Sequence, residues 1–162
     1  MADLIKPKPF ALDTNILFDL ADEQDFALTF LEVFLQKGYS FSVPPTAIQE
    51  LFSLSDQGEA LATRALSEML NWQIRPFDLI PVGHGITEAF SFRLRNSGLL
   101  PYDENNDGLI LAETSLAEIG VLVTSDNHLL NIDDASLRLA FDASDLPFVH
   151  PAHPKNLLRA IR

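Results

Sequence analysis

The chain has no cysteine, which excludes disulfide bridges, thiolate metal sites and a cysteine nucleophile together. It has few bases, eleven lysines and arginines against twenty-three aspartates and glutamates, for a formal net charge of −12. A chain so acidic repels polyanions at long range, which argues against tight nonspecific nucleic-acid binding and favours basic partners or divalent cations. No apolar run approaches the roughly 18 residues that span a bilayer, so no membrane association is expected. Asp13, Asp19 and Asp22 interrupt every apolar stretch of the first thirty residues, and no secretory leader is expected either. A cytoplasmic location is the default. With 47% apolar and 21% charged residues over 162 positions, the composition is that of one ordinary globular domain, not of a disordered chain.

The patterning alternates short β-type runs with helical ones. Residues 1–8, with two lysines and a proline, read as a loose leader. A strand through Phe10-Ala11-Leu12 ends at Asp13-Thr14-Asn15, and helices follow over Ile16–Leu20 and Phe26–Leu35, the second closed by Lys37-Gly38. Tyr39–Val43 reads as a strand, and Thr46 is placed to cap a helix starting near Ala47 and carrying Glu50. Glu59–Trp72 predicts a helix with Leu61, Ala65, Leu66, Met69 and Leu70 on its apolar face, and Phe77–Val82 a strand. Further helices are expected over Ile86–Asn96, Leu109–Ile119, Ala135–Phe141 and Lys155–Ile161, with strands at Val121–Val123 and Phe148-Val149. Such alternation predicts an α/β fold, a mostly parallel sheet covered by helices on both faces.

In such a sheet ligands bind beyond the carboxyl ends of the strands. Asp13 and Asp126 each follow a strand there, Glu50 lies early in the helix after the second strand, and Asp107 opens a helix. Gathered together, four carboxylates need cations, and an all-oxygen set suits Mg²⁺ or Mn²⁺. Asn15, Thr46, Thr124 and Ser125 are positioned to hydrogen-bond these carboxylates or water on the metal. The four histidines, His84, His128, His150 and His153, lack zinc-ligand spacing, and the prolines around the last two suggest a surface turn.

Leu12-Asp13-Thr14-Asn15, Thr46-Ala47-Ile48-Gln49-Glu50-Leu51, Asn106-Asp107 with Leu109-Ile110-Leu111-Ala112, and Val123-Thr124-Ser125-Asp126 resemble, in that order, the motifs of PIN-domain proteins. The resemblance runs over almost the whole chain. It implies a three-layer α/β/α fold and a metal-dependent endoribonuclease, a hydrolase using Mg²⁺ or Mn²⁺. Asp13, Glu50, Asp107 and Asp126 then become the metal-binding and catalytic acids, with Asn15 and Thr124 as polar companions and Asp103 as an extra acid that some members carry. His128 departs from the pattern, standing where many members have another aspartate. The stretch from Glu59 to Pro81 is long for the smallest members of the family and suggests a helical elaboration over residues 59–98. Lys155, Arg159 and Arg162 share one helix face, and Arg93 and Arg95 add two bases, so these are the expected RNA contacts. Many bacterial members are toxins held by an antitoxin, so the resemblance also implies a toxin–antitoxin pair with a basic antitoxin, and a homodimer.

Other readings compete. A non-catalytic PIN-fold module would bind metal or RNA without turnover. Asp103–Gly108 matches the first half of an EF-hand calcium loop, but Thr114 stands where the bidentate glutamate belongs. A haloacid dehalogenase-type phosphatase would need a second aspartate that Leu12-Asp13-Thr14-Asn15 lacks.

Overall fold

The computed structural model describes residues 8–161. The leader expected over residues 1–8 lies outside them up to residue 7, and Lys8 already opens the first strand. In order the elements are β1 (Lys8–Leu12), α1 (Thr14–Ala21), α2 (Asp25–Gln36), β2 (Tyr39–Val43), α3 (Pro45–Asp56), α4 (Ala60–Glu68) and β3 (Ile74–Pro76). Then come α5 (Pro81–Asn96), α6 (Asn105–Leu116), β4 (Val121–Val123), α7 (Asn127–Leu130), α8 (Asp134–Ala143), β5 (His150–Ala152) and α9 (Pro154–Ala160).

The five strands form one sheet in the order β3-β2-β1-β4-β5, and every pairing is parallel. Phe10, Ala11 and Leu12 are all buried in β1. Successive strand residues point to opposite faces, so both faces of this central strand are covered, as a three-layer α/β/α arrangement requires. On one side Phe10 stacks on Tyr39 of β2 at 4.6 Å and meets Phe34 of α2 edge-on at 5.3 Å, tying sheet to helix. Elsewhere Phe90 of α5 packs on Phe141 of α8 at 4.5 Å.

Helix α6 is buried continuously from Asp107 to Ser115. Such a helix has no solvent face, and so its amphipathic signal is weak. Its tightest approach is at Gly108, where a Cβ would fall 2.5 Å from Ser91 Oγ and 2.8 Å from Ser91 Cα of α5. Only glycine allows α5 and α6 to come this close.

Several boundaries differ from expectation, each for a local reason. The third strand is Ile74–Pro76, not Phe77–Val82, and the last is His150–Ala152, not Phe148-Val149. Both are edge strands containing proline, which needs no partner for a missing N–H there. His150 and Pro151 therefore lie in the sheet, not in a surface turn; His150 N–H donates to Gly120 O at 2.9 Å. Helix α3 begins at Pro45 with Pro44 as its N-cap, so Thr46 sits inside the first turn and does not cap it. Proline is favourable at that position because it lacks an N–H that would go unbonded. Helix α4 stops at Glu68; Leu70 is 79% exposed and does not belong to its apolar face. Residues 59–98 hold α4 and α5 with the edge strand β3 between them.

Candidate metal centre

The strand order reverses at β1. From β1 the chain proceeds to β2 on one side, while β4 lies on the other and leads on to β5. The connections thus leave the carboxyl ends of β1 and β4 in opposite directions and open a crevice between them, the usual ligand site of such sheets. Leu12 pairs with Val123 at the end of the ladder, and Asp13 N–H donates to Val123 O at 3.0 Å. Asp13 and Asp126 consequently sit on adjacent strand ends.

Asp13 is held on all sides. Its Oδ1 accepts Thr14 N–H at 2.8 Å, capping α1, and its Oδ2 accepts the Thr124 hydroxyl at 2.8 Å and Asn15 Nδ2 at 3.2 Å. Thr124 in turn accepts Asp126 N–H at 3.0 Å, and Asn15 Oδ1 accepts Ser125 N–H at 3.0 Å. A small polar network therefore clamps the end of β1 to the end of β4. Asp107, in the first turn of α6, completes the group: one carboxylate oxygen each from Asp13, Asp107 and Asp126 lies within 4.8 Å of the others. Glu50 of α3 lines the same open cleft, about 390 Å³ in volume, with Asp103 and Glu104 on its rim.

Burial and mutual repulsion disturb these acids. Burial, partly offset by the Thr124 hydrogen bond, pushes Asp13 up to about 6. Glu50 is pushed up to about 7, by burial first and then by the charge of Asp13. Asp107 is raised too, again by burial first and then by Asp13 and Asp126. Asp107 Oδ2 is buried with no hydrogen-bond partner, and such an atom carries the full cost of its lost water. A divalent cation among the three aspartates would cancel the repulsion. The donor set, carboxylate oxygens without sulfur or imidazole, fits Mg²⁺ or Mn²⁺.

The other expected residues divide. Asn15, Thr124 and Ser125 take part in the clamp; Ser125 Oγ also donates to Asp19 Oδ2 at 3.3 Å. Thr46 makes no hydrogen bond to the three aspartates. Its N–H and hydroxyl both go to Glu113 of α6, at 3.0 Å and 2.6 Å. His128 is exposed, its Nε2 3.7 Å from Glu104 Oε1. Among the described residues, none of the expected RNA-contacting bases lines the cleft. Arg95 lies over the Tyr102 ring at 5.6 Å, beside the loop leading to Asp103, and Arg93 is exposed on the same helix. Lys155 lies over Phe26 at 5.2 Å and Arg159 is exposed one turn on, while Arg162 is outside the described residues. Asn105–Leu116 is helical, so Asp103–Thr114 does not form a twelve-residue calcium loop. Sequence reasoning missed Glu104, Asp19 and Glu113. Glu104 could have been read from the same acidic run, whereas nothing local marks Asp19 or Glu113.

No family model and no curated protein matches the chain in sequence. Solved structures do match. One is VapBC2 from Rickettsia felis bound to a DNA fragment from their promoter, with TM-score 0.61 and 20% identity over 90% of this chain and 98% of that one. The chain has a PIN-like fold. FitAB bound to an IR36 DNA fragment matches with TM-score 0.54 and 17% identity, over 90% of this chain and 94% of that one. FitAcB from Neisseria gonorrhoeae matches with TM-score 0.53 and 17% identity, over 90% and 97%. Among the described residues of this PIN-like chain, no helix is long and apolar enough to cross a membrane.

Proposed function

We propose that the chain is a divalent-metal-dependent endoribonuclease, acting as the toxin of a toxin–antitoxin pair. The observation that carries this reading is the convergence of Asp13, Asp107 and Asp126 within 4.8 Å at the reversal of the sheet, with one Asp107 oxygen buried and unpartnered. Asp13, Asp107 and Asp126 would hold Mg²⁺ or Mn²⁺, with Glu50 as the fourth acid. When bound, the metal supplies charge neutralisation for phosphate oxygens and lowers the pKa of water.

The protein's own residues do the rest. Thr124 and Asn15 fix Asp13 by donating to its Oδ2, so this ligand needs no reordering. Glu50, the fourth acid of the cleft, accepts the proton of the attacking water. Water oxygen bonds to phosphorus, the P–O bond to the leaving ribose oxygen breaks, and that oxygen takes a proton from solvent while Glu50 returns its own to solvent. Arg93, Arg95, Lys155 and Arg159 lie outside the cleft and contact flanking phosphates, offsetting the acidic surface. The net charge of −12 and the acidic cleft suit a basic antitoxin. A homodimer and a cytoplasmic location belong to the same reading.

The test is cleavage of labelled single-stranded RNA by EDTA-stripped protein, with Mg²⁺, Mn²⁺ or Ca²⁺ restored, beside Asp107→Asn. Cleavage that requires Mg²⁺ or Mn²⁺ and disappears in the variant is expected. Mn²⁺ binding without cleavage of any RNA offered would make the chain a non-catalytic module.

A further inference from the structure

Glu113 lies outside the cleft, and nothing in the proposed reaction uses it. It is 2% exposed, on α6, and both of its oxygens go to one residue of another helix. Oε1 accepts Thr46 N–H at 3.0 Å and Oε2 accepts the Thr46 hydroxyl at 2.6 Å. The reason is legible in α3. That helix opens on Pro44-Pro45 and has no side-chain cap of its own. The Thr46 N–H is therefore the first in the helix that needs an acceptor from elsewhere. A carboxylate from α6 supplies it, at the end of α3 where a negative charge is favoured.

The two helices joined in this way carry two acids of the cleft. Glu50 stands four residues beyond Thr46 and so lies above it on the same side of α3. Asp107 lies six residues before Glu113 on α6. Helix α6 is itself locked on α5 through Gly108 and Ser91. Fully buried Ala47 and Leu51 set the rotation of α3 about its axis only coarsely, because apolar packing is non-directional. Two hydrogen bonds to the backbone and side chain of a single residue fix that rotation. The rotation matters because Glu50 is not among the three carboxylates within 4.8 Å, so its approach to them depends on how α3 is set.

We propose that Glu113 is a positioning residue, holding α3 through Thr46 so that Glu50 faces the three aspartates. This rests on the reading of the cleft as a metal site. The experiment is calorimetric titration of Mn²⁺ into EDTA-stripped wild type, Glu113→Ala, Glu113→Gln, Glu50→Gln and the Glu113→Ala/Glu50→Gln double variant. All are measured well below their melting temperatures, with circular dichroism confirming the fold.

Glu113→Ala should weaken Mn²⁺ binding about tenfold. Glu113→Gln, which keeps an acceptor for Thr46 N–H, should recover most of that loss. In the Glu50→Gln background Glu113→Ala should change affinity by no more than about twofold, because its effect passes through Glu50. The inference is overturned if Glu113→Ala lowers the melting temperature yet leaves Mn²⁺ affinity intact, or if its effect persists in full without Glu50. Failure of wild type to bind Mn²⁺ would overturn the metal-site reading as well, and the first titration shows it. Should Glu113→Ala not fold, Thr46→Val removes the hydroxyl bond alone and should weaken binding about threefold.

Discussion

Replacing Asp107 by asparagine should stabilise the metal-free protein at pH 7 while removing its response to Mn²⁺. In the fold, burial and the charges of Asp13 and Asp126 raise this carboxyl from its ordinary value of 3.8. A folded-state pKa above the unfolded one means that the native state binds the extra proton. That contribution to stability is intact below about pH 4 and is lost as the pH rises through the folded value. At one pH unit per 1.36 kcal/mol, folding such an acid in its protonated form at pH 7 costs about 4 kcal/mol relative to an unperturbed one. Asparagine is neutral at every pH and can donate to Asp126, so it removes much of this cost.

The expected gain at pH 7 is about 2 kcal/mol or more, on the order of 5 °C in Tm for a chain of this size. At pH 4 the two proteins should melt within about 1 °C of each other. The assay is calorimetric melting in EDTA at pH 4, 5.5 and 7, repeated with Mn²⁺. Wild type at a hundredfold excess of Mn²⁺ over Kd should gain about 2.7 kcal/mol, and Asp107→Asn far less. A variant less stable than wild type at pH 7, or a gain equal at pH 4 and pH 7, would refute the argument, because burial and the neighbouring carboxylates would then not be raising this group.

Asp13 carries the same sign: its rise from 3.8 to about 6 should cost the metal-free protein about 3 kcal/mol between pH 4 and pH 7, visible as a declining urea midpoint. Thr124→Val keeps shape but strips buried Asp13 of a donor, and should cost about 1–3 kcal/mol in urea unfolding, with Mn²⁺ affinity falling too. Gly108→Ala forces a methyl against the Ser91 backbone and should cost about 1–3 kcal/mol, with no rescue by Ser91→Ala because the clash with the main chain of residue 91 persists. Lys155→Glu with Arg159→Glu should raise KM for RNA, leave kcat within about twofold and flatten the salt dependence of binding; an unchanged salt slope would remove these bases from the RNA path.

Much of this architecture is local in origin and could be read directly. Tyr39–Val43 and Val121–Val123 are strands because β-branched and aromatic residues pack well on a covered sheet, and Asp13 follows β1 because a short acid caps the helix behind it. The alternation of strands with helices was enough for a parallel α/β sheet, and that sheet has a known place for ligands. The edge strands were not legible, since proline in Ile74–Pro76 and His150–Ala152 argues locally against a strand and is tolerated only where an edge leaves the N–H unneeded.

Composition and order along the chain determined which acids were available and that no thiolate could compete with them for a metal. Only the tertiary structure decided which acids meet. Asp13 and Asp126 are more than a hundred residues apart and become neighbours because β1 pairs with β4 and not merely with β2. The pairing of Glu113 with Thr46 had no local signal: the bond exists because Pro44-Pro45 leaves a donor at the head of α3 and packing brings a buried helix past it. Backbone preference acts over a few residues, whereas charge and hydrogen bonding act across whatever distance the packed core has closed.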